Sequence, residues 1–574
     1  MATGKALNGK PYAGNPHVAP LQCYGGTGRF DEGEVASAAT PRRGSLLYKA
    51  PTLSAALAAS VLMASASAAQ FQIDRSVMGE KYWRIWNEKE QSRIDADIEA
   101  NRKADMTVEV GAPDGTEVRY EQISHEFRFG ASTFNFGQLG SSERNRRYAA
   151  AFGEGGVFNQ GTVPFYWREY EPEPGVVRAH PGKFKADFEA YWNALPREKA
   201  VKEKFWRRPP PGPIIDYLKS RGLRAHGHIL VTGGFRPEWL YDKFCPDEEK
   251  RFLEGFGLPR HEDYNGTWYQ WEMQMFRTVC MDKLYPKLSE QEIGAALPVW
   301  TSEMRRLWRK RILDIGAQFG KLVDSWDVVN ESARDFARYG KSRTGLPVWK
   351  SFKGIMPGDF PLLALSDAKE AFPETTELVI NENKIGEEFL RQVTDLTKEG
   401  VRIDLIGCQM HIMDPNLMKR LAAGSSNVNW VGTPATIRRR LDTMARTGRR
   451  IHISEVTIPQ SEKGARGLAV QATAVRNLYR IWFSHKAVAG ITWWNLVDGC
   501  SFPGEPQISG LFTYDLRKKP AYEVLESLIN GEWCTKGVST AKDGKVAFRG
   551  FRGRYRLTWK GADGKEQTKV IDVK

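Results

Sequence analysis

Eight short, mostly apolar runs recur between stretches of helical periodicity, at 127–136, 161–167, 224–231, 323–331, 377–382, 403–412, 450–458 and 489–498. This alternation constrains the fold more than any other feature of the chain. Runs of that length, apolar on both faces, read as strands of a parallel sheet covered by helices. Eight of them predict a protein of the α/β class, a closed (β/α)8 TIM barrel, which takes about 250 residues or more as a single unit. The stretch is longer than a bare barrel needs. The segments 183–213 and 241–298 are therefore read as insertions into the βα loops that would surround an active site.

The ends of the chain read differently. Residues 81–104 predict one charged amphipathic helix. Thr107 to Tyr120 places Pro113-Asp114-Gly115 between alternating segments, the pattern of a β-hairpin. Residues 538–573 carry Asp-Gly turns at 543 and 563 between short alternating strands. The expected organisation is an extension and leader over 1–69, a helix and hairpin over 70–126, the barrel over 127–531 and a small β element over 532–574. The two terminal β elements are expected to pack together.

Arg42 and Arg43 precede an apolar run from Leu53 to Met63, followed by Ala64-Ser-Ala-Ser-Ala-Ala-Gln70. A basic region, an apolar region and a zone of small residues make a secretory signal, with cleavage expected near Ala69 and a secreted or periplasmic product. A membrane anchor is the competing reading. It needs about 20 apolar residues, and this Ala/Ser-rich run is weaker than that, so no stable membrane insertion is expected after cleavage. Some 40 residues precede the signal, which points to an overextended gene start with the real start near Leu46. Six Cys, at 23, 245, 280, 408, 500 and 534, show no zinc spacing and no disulfide framework, leaving room for one incidental bridge. No metal and no cofactor are expected.

With 41% apolar residues the chain is not disordered. Its 83 basic and 69 acidic side chains leave a net charge of +14, which raises the question of nucleic acid. The charges are interleaved, however, and no helix-turn-helix, zinc-finger or RNA-recognition motif is present. A nucleic-acid partner is not expected, and oligomeric state stays open.

In a barrel of this kind, polar residues at strand C-termini carry the chemistry. The third run holds His226-Gly-His228, the fourth ends Asn330-Glu331, the fifth Asn381-Glu382-Asn383, and the sixth holds Gln409-Met-His411. The seventh ends His452-Ile-Ser-Glu455, and the eighth Trp493-Trp494-Asn495-Leu-Val-Asp498. Glu331 and Glu455 would face each other across the mouth. Two carboxyls about 5–5.5 Å apart, one protonated and one ionised, are what retaining glycoside hydrolysis requires. A neighbouring Asn can hydrogen-bond the adjacent sugar hydroxyl, and a His can hold the nucleophile. Each glutamate alone reads equally well as an ordinary surface or ion-paired acid. The whole set of polar residues, each at the end of an apolar strand, favours the catalytic reading.

From residue 127 to 522 these segments resemble glycoside hydrolase family 10, the endo-β-1,4-xylanase family. Trp326-Asp-Val-Val-Asn330-Glu331 resembles its acid/base motif, and Ile453-Ser-Glu455-Val-Thr-Ile its nucleophile strand. Ile406-Gly-Cys-Gln409-Met-His411, Ile491-Thr-Trp-Trp494-Asn-Leu-Val-Asp498, Lys519-Pro-Ala-Tyr522 and Tyr170-Glu-Pro-Glu-Pro-Gly-Val resemble four further segments in family order. The resemblance implies a polysaccharide or oligosaccharide substrate, xylan by default, with Glu331 as acid/base and Glu455 as nucleophile. It further implies that Asn330 binds the sugar 2-hydroxyl, that His411 orients Glu455, that Gln409 and His228 line the site, and that Trp494 floors the reacting sugar. For Trp494 and His228, plain core packing and a satisfied loop histidine remain as alternatives.

Two segments depart from the family. Its second strand ends Glu-Asn-Glu-Met-Lys-Trp, where this chain has Thr162-Val-Pro-Phe-Tyr166-Trp167. Its third continues Leu-Val-Trp-His-Ser-Gln, where this chain has His228-Ile-Leu-Val-Thr232-Gly233-Gly234-Phe235. Sugar-gripping groups are thus lost from one half of the cleft, and with them discrimination for the sugar that used them. Tyr166 and Phe235 are expected to build a more apolar or narrower pocket there. Arg168 and Arg236 are candidates to meet an acidic or substituted glycan, or else solvated loop arginines. A decorated xylan, another β-glycan or a glycoside conjugate is the alternative substrate. A non-catalytic carbohydrate-binding barrel is the alternative of another class.

Overall fold

The computed structural model describes residues 72–339, 345–428 and 431–574. The predicted leader, its cleavage point near Ala69 and the suggested start near Leu46 lie outside the described residues. No described helix is long and apolar enough to cross a membrane. Among the described residues Cys245, Cys280, Cys408, Cys500 and Cys534 are all free, so they form no incidental disulfide with one another.

The helix expected over 81–104 is two helices, α1 (Glu80–Ile85) and α2 (Glu88–Arg102). Asn87 divides them. Its backbone is extended, and its side chain accepts from the Glu90 N–H at 3.0 Å to cap α2. Both helices dock on the barrel helix Ala465–Ser484 and the chain just after it: the Tyr82 hydroxyl accepts from Asn477 at 2.7 Å, and Arg102 donates to the carbonyl of Phe483 and, past the helix, to those of His485 and Val488 at 2.6 and 2.7 Å. Two strands follow, β1 (Lys103–Glu109) and β2 (Glu117–His125).

The eight predicted barrel strands are β3 (Arg128–Ser132), β4 (Gln160–Pro164), β5 (Arg224–Thr232), β6 (Ser325–Asn330), β9 (Glu377–Glu382), β10 (Leu405–His411), β11 (Arg450–Thr457) and β12 (Val488–Trp493). They close in that order into one barrel, each parallel to its neighbours. Nearly every residue of these strands is buried, which is why they read as continuous apolar runs rather than alternating ones. Trp326, on β6, is fully buried, and its truncation to Ala would cost about 3–5 kcal/mol.

Both expected insertions are present. The one after β4 runs to the helix Pro211–Ser220, and the one after β5 runs through several short helices to Pro298–Phe319. A third, not anticipated, follows β6. It contains a small antiparallel hairpin of β7 (Val348–Ser351) and β8 (Gly354–Pro357).

The chain ends in β13 (Lys536–Thr540), β14 (Lys545–Phe551), β15 (Gly553–Lys560) and β16 (Glu566–Val573). The hairpin expected over 107–120 does not form: β1 pairs with β14, while β2 lies between β13 and β15. The physical reason is in the connection. The N–H groups of Val110 and Gly111 bond the Gly544 carbonyl, and that of Gly115 bonds the Ala541 carbonyl, so the Pro-Asp-Gly loop serves the C-terminal strands. The termini thus make one β appendage around Val118, Val546, Tyr555 and Leu557. Trp533, just before β13, stacks on Phe483 at 4.1 Å and on Phe129 at 5.8 Å. The appendage therefore sits at the starts of β3 and β12, the end of the barrel opposite the strand C-termini.

Candidate active site

Parallel register brings the polar residues of four strands together. Asn330 on β6 lies opposite Asn381 on β9, and Gln409 on β10 opposite Glu455 on β11. The side chains complete a continuous hydrogen-bonded run. Gln409 Nε2 donates to Glu331 Oε1 at 3.2 Å and to Asn330 Oδ1 at 3.3 Å. Asn381 Nδ2 donates to Asn330 Oδ1 at 2.9 Å and to Glu455 Oε1 at 2.7 Å. The Ser454 hydroxyl donates to Asn381 Oδ1 at 2.6 Å, which fixes the amide with its NH2 toward the acids. Gly407 makes room for that amide, since a Cβ there would lie 2.4 Å from Asn381 Oδ1. On the far side, His411 Nε2 meets Glu455 Oε2 at 3.0 Å, and His411 Nδ1 meets Thr457 Oγ1 at 2.9 Å.

Glu331, Glu455, Asn330, Gln409 and His411 are thereby brought into one site. Asn381 belongs with them, and sequence reasoning had placed it only at a strand end. The register signal that could have found it was the Asn-Glu repeat at the ends of β6 and β9. Asn330 has its Oδ1 engaged twice, which leaves its NH2 for a ligand.

The two glutamates sit in different fields. Glu455 is gripped by an amide and an imidazole, and its side chain is 6% exposed. Glu331 is 25% exposed and meets a cation: Lys353 Nζ, from the turn between β7 and β8, lies 2.5 Å from its Oε2. Burial would raise the Glu331 carboxyl, but the Lys353 ammonium, with hydrogen bonds from Lys353 and Gln409, outweighs it and holds the group down at about 2. Nothing in the sequence pointed to Lys353, whose turn comes 22 residues after Glu331 and returns to it through the hairpin.

Two further carboxyls flank the pair. Burial pushes Glu382 up to about 7, against hydrogen bonds from the N–H groups of Ala333 and Lys384. Burial likewise pushes Asp335 up to about 6, against bonds from the Ser351 hydroxyl and the Phe352 N–H.

The other half of the mouth is apolar. Phe134, Tyr166, Ile229 and Trp494 form a buried cluster of their own, with Phe235 packed on it. The Phe134 ring meets Trp494 edge-on at 4.9 Å, and Tyr166 meets Phe235 at 5.0 Å. The expected apolar pocket is thus a packed cluster. Trp494 is 5% exposed within it and meets His411 in an edge-to-face contact, ring centroids 5.9 Å apart. His228 is buried beside Tyr166 and Trp494, with Nδ1 held by Asp327 Oδ2 at 2.7 Å. His226 Nε2 lies 3.0 Å from the same oxygen, and the two histidines hold the Asp327 carboxyl well below its usual range despite its burial.

Arg168 and Arg236 are not free to meet an acidic glycan. Arg168 pairs with Glu169, and Arg236, 4% exposed, pairs with Glu272 at 2.9 Å. Arg168 pairs with its own neighbour and Arg236 with an acid of the inserted segment after β5, so both the glycan-meeting and the solvated-loop readings are corrected.

Comparison with known proteins adds four findings. The family model described as glycosyl hydrolase family 10 matches residues 288–528, a stretch that holds β6 and β9 to β12 with both glutamates. Endo-1,4-beta-xylanase B of Thermotoga neapolitana is 27% identical over 344 residues, covering 58% of this chain and 87% of that protein. The anti-sigma-I factor RsgI6 of Acetivibrio thermocellus is 28% identical over 242 residues, 41% of this chain, and this chain spans only 26% of its length. Among solved structures, native xylanase 10B from Thermotoga maritima aligns with 71% of this chain and 96% of its own at 21% identity, with a TM-score of 0.44.

Proposed function

Because the chain belongs to glycosyl hydrolase family 10 through residues 288–528, we propose that it is a retaining β-glycosidase acting within a β-glycan chain, with plant cell-wall β-1,4-xylan as the default substrate. The observation that carries this reading is the unbroken hydrogen-bonded run from Glu331 through Gln409, Asn330 and Asn381 to Glu455. A binding-only site has no use for two carboxyls held in such different fields.

The two carboxyls divide the chemistry between them. Glu455, oriented by Asn381 and His411, attacks the anomeric carbon while Glu331, the more open acid, protonates the departing oxygen. Glu331, now ionised, takes a proton from water as that water opens the glycosyl-enzyme ester. The free NH2 of Asn330 is aimed to bind the hydroxyl next to the reacting carbon, and His228 and Trp494 stand at the margin of the reacting sugar. The side chains suffice for these steps without a cofactor.

Release of reducing sugar from xylan with retained anomeric configuration, abolished in Glu455→Ala, is the expected outcome. Inversion at the anomeric carbon would sink the mechanism. The packed half of the mouth favours a second substrate reading, a decorated xylan, another β-glycan or a glycoside conjugate, which turnover of an aryl β-glycoside without turnover of xylan would select. Glycan binding with no turnover of any β-glycoside would leave the carbohydrate-binding barrel. We further propose that the leader directs the protein out of the cytoplasm, which N-terminal sequencing of the exported chain would test.

A further inference from the structure

Lys353 is placed where it is by construction. Asp335 accepts the Phe352 N–H at 2.5 Å and the Ser351 hydroxyl at 2.6 Å, and Ser351 Oγ in turn accepts the Lys353 N–H at 3.1 Å. Arg236 donates to the Ile355 carbonyl at 3.1 Å, which ties β8 to the loop after β5. Gly233 leaves space for the lysine stem, since a Cβ there would come within 2.7 Å of Lys353 Cβ. The ammonium has three donors. One reaches Glu331 Oε2 at 2.5 Å and one reaches Thr232 Oγ1 at 3.3 Å, leaving a third for a ligand.

This arrangement opposes the task of Glu331. A general acid must carry a proton, and an ammonium in contact with a carboxylate stabilises the charged form. No neighbouring group is free to draw the ammonium away. Glu382 already accepts from the N–H groups of Ala333, Asn383 and Lys384, and Asp335 from Ser351 and Phe352. Tyr269, the other titratable group in the field of Lys353, is a neutral phenol raised by burial. The competing anion must therefore arrive with the substrate.

We propose that Lys353 is a specificity residue that receives a carboxylate carried by the substrate beside the scissile bond, as on a uronic-acid-substituted β-glycan, and that this docking releases Glu331 to take up the proton it donates. The inference rests on the hydrolase reading given above. Proton balance is simple: Glu331 gains a proton from solvent when the ammonium turns to the substrate, and passes it to the glycosidic oxygen as the C–O bond breaks.

The test compares two xylo-oligosaccharides of equal length, one unsubstituted and one bearing a glucuronic acid branch next to the cleaved bond. The wild type is expected to favour the acidic one in kcat/KM by about 10- to 100-fold near pH 6.5, the range for a hydrogen bond to a charged group. Lys353→Met should erase that preference and raise turnover of the unsubstituted oligosaccharide, while Lys353→Arg should keep part of the preference and controls for folding. Equal turnover of both substrates by the wild type, or a preference that survives in Lys353→Met, overturns the proposal. A dinitrophenyl β-xylobioside needs no acid to leave. If wild type, Lys353→Met and Lys353→Arg all fail on it, the hydrolase reading itself has fallen, and this inference with it.

Discussion

On one side of the barrel mouth, β6, β9, β10 and β11 present Asn330, Glu331, Asn381, Gln409, His411 and Glu455 as one hydrogen-bonded run. On the other, Ile229 within β5 and Phe134, Tyr166, Phe235 and Trp494, just beyond the ends of β3, β4, β5 and β12, pack into one apolar cluster. The difference shows two ways in which a barrel mouth can satisfy its buried groups. Removing one partner of a buried hydrogen bond is costly, whereas replacing whole polar sets by apolar groups of matching shape is close to neutral. The aromatic half is of the second kind, and it meets the polar half at Trp494 and His411. Damage to the first half should therefore appear in rates, and damage to the second in stability.

The sharpest break of that contrast is Glu331→Gln. It keeps the shape of the polar half and removes the acid, so kcat/KM on a glycan with a poor leaving group should fall by about 10²- to 10⁴-fold. The urea midpoint should move far less. An unchanged rate would show that Glu331 transfers no proton. Phe134→Ala is the mirror experiment. Phe134 is 1% exposed and packed edge-on against Trp494 and Tyr166, so its truncation should cost about 3–5 kcal/mol in urea unfolding. Turnover of an activated aryl β-glycoside should stay within an order of magnitude, and a collapse of turnover at unchanged stability would reverse the assignment of the two halves.

The same division explains what could be read from the residues alone. All eight barrel strands were legible, because a strand buried on both faces leaves a continuous apolar run that no surface element imitates. The site residues Glu331, Gln409, His411 and Glu455 were legible because they close such runs. Lys353 was not, since its place depends on a hairpin of four-residue strands and on the space left by Gly233, features with no periodicity to read. The terminal hairpin failed for a related reason. Alternation identifies β1 and β2 as strands but does not name their partners, and β14, β13 and β15 lie more than 400 residues away in the chain. The ion pair of Arg236 was likewise invisible, because Glu272 lies 36 residues further on and only the folded insertion brings it to the arginine.

A subtler test lies in the acid that anchors the Lys353 hairpin. Asp335 titrates near 6 when folded, raised by burial from an ordinary 3.8. Between those values the folded state binds more protons than the unfolded state, so this group makes stability fall as pH rises from about 4 to 6, by up to about 3 kcal/mol. Asp335→Asn cannot titrate, yet it can still accept from Phe352 and donate to Ser351. Unfolding measured across that window should show a shallower pH dependence in the variant. An identical slope would mean that Asp335 is ionised throughout and that the hairpin anchor is ionic.

The smallest expected effect probes how finely the polar half is tuned. Thr457 lies one turn of side chains beyond Glu455 on β11, with its hydroxyl 2.9 Å from His411 Nδ1. If the hydroxyl donates there, the imidazole keeps its proton on Nε2, where it donates to Glu455 Oε2 at 3.0 Å. Thr457→Val is nearly isosteric and removes only that donor. The imidazole is then free to place its proton on Nδ1 and turn a lone pair toward the carboxylate, which repels it. The loss should match one hydrogen bond, about 0.5–1.5 kcal/mol, or roughly 2- to 12-fold in kcat/KM. The same substitution should leave the effect of Phe134→Ala additive within about 0.5 kcal/mol. A strong coupling between the two variants would show that the halves are joined through Trp494, whose ring meets both Phe134 and His411, and the division between them would have to be redrawn at that ring.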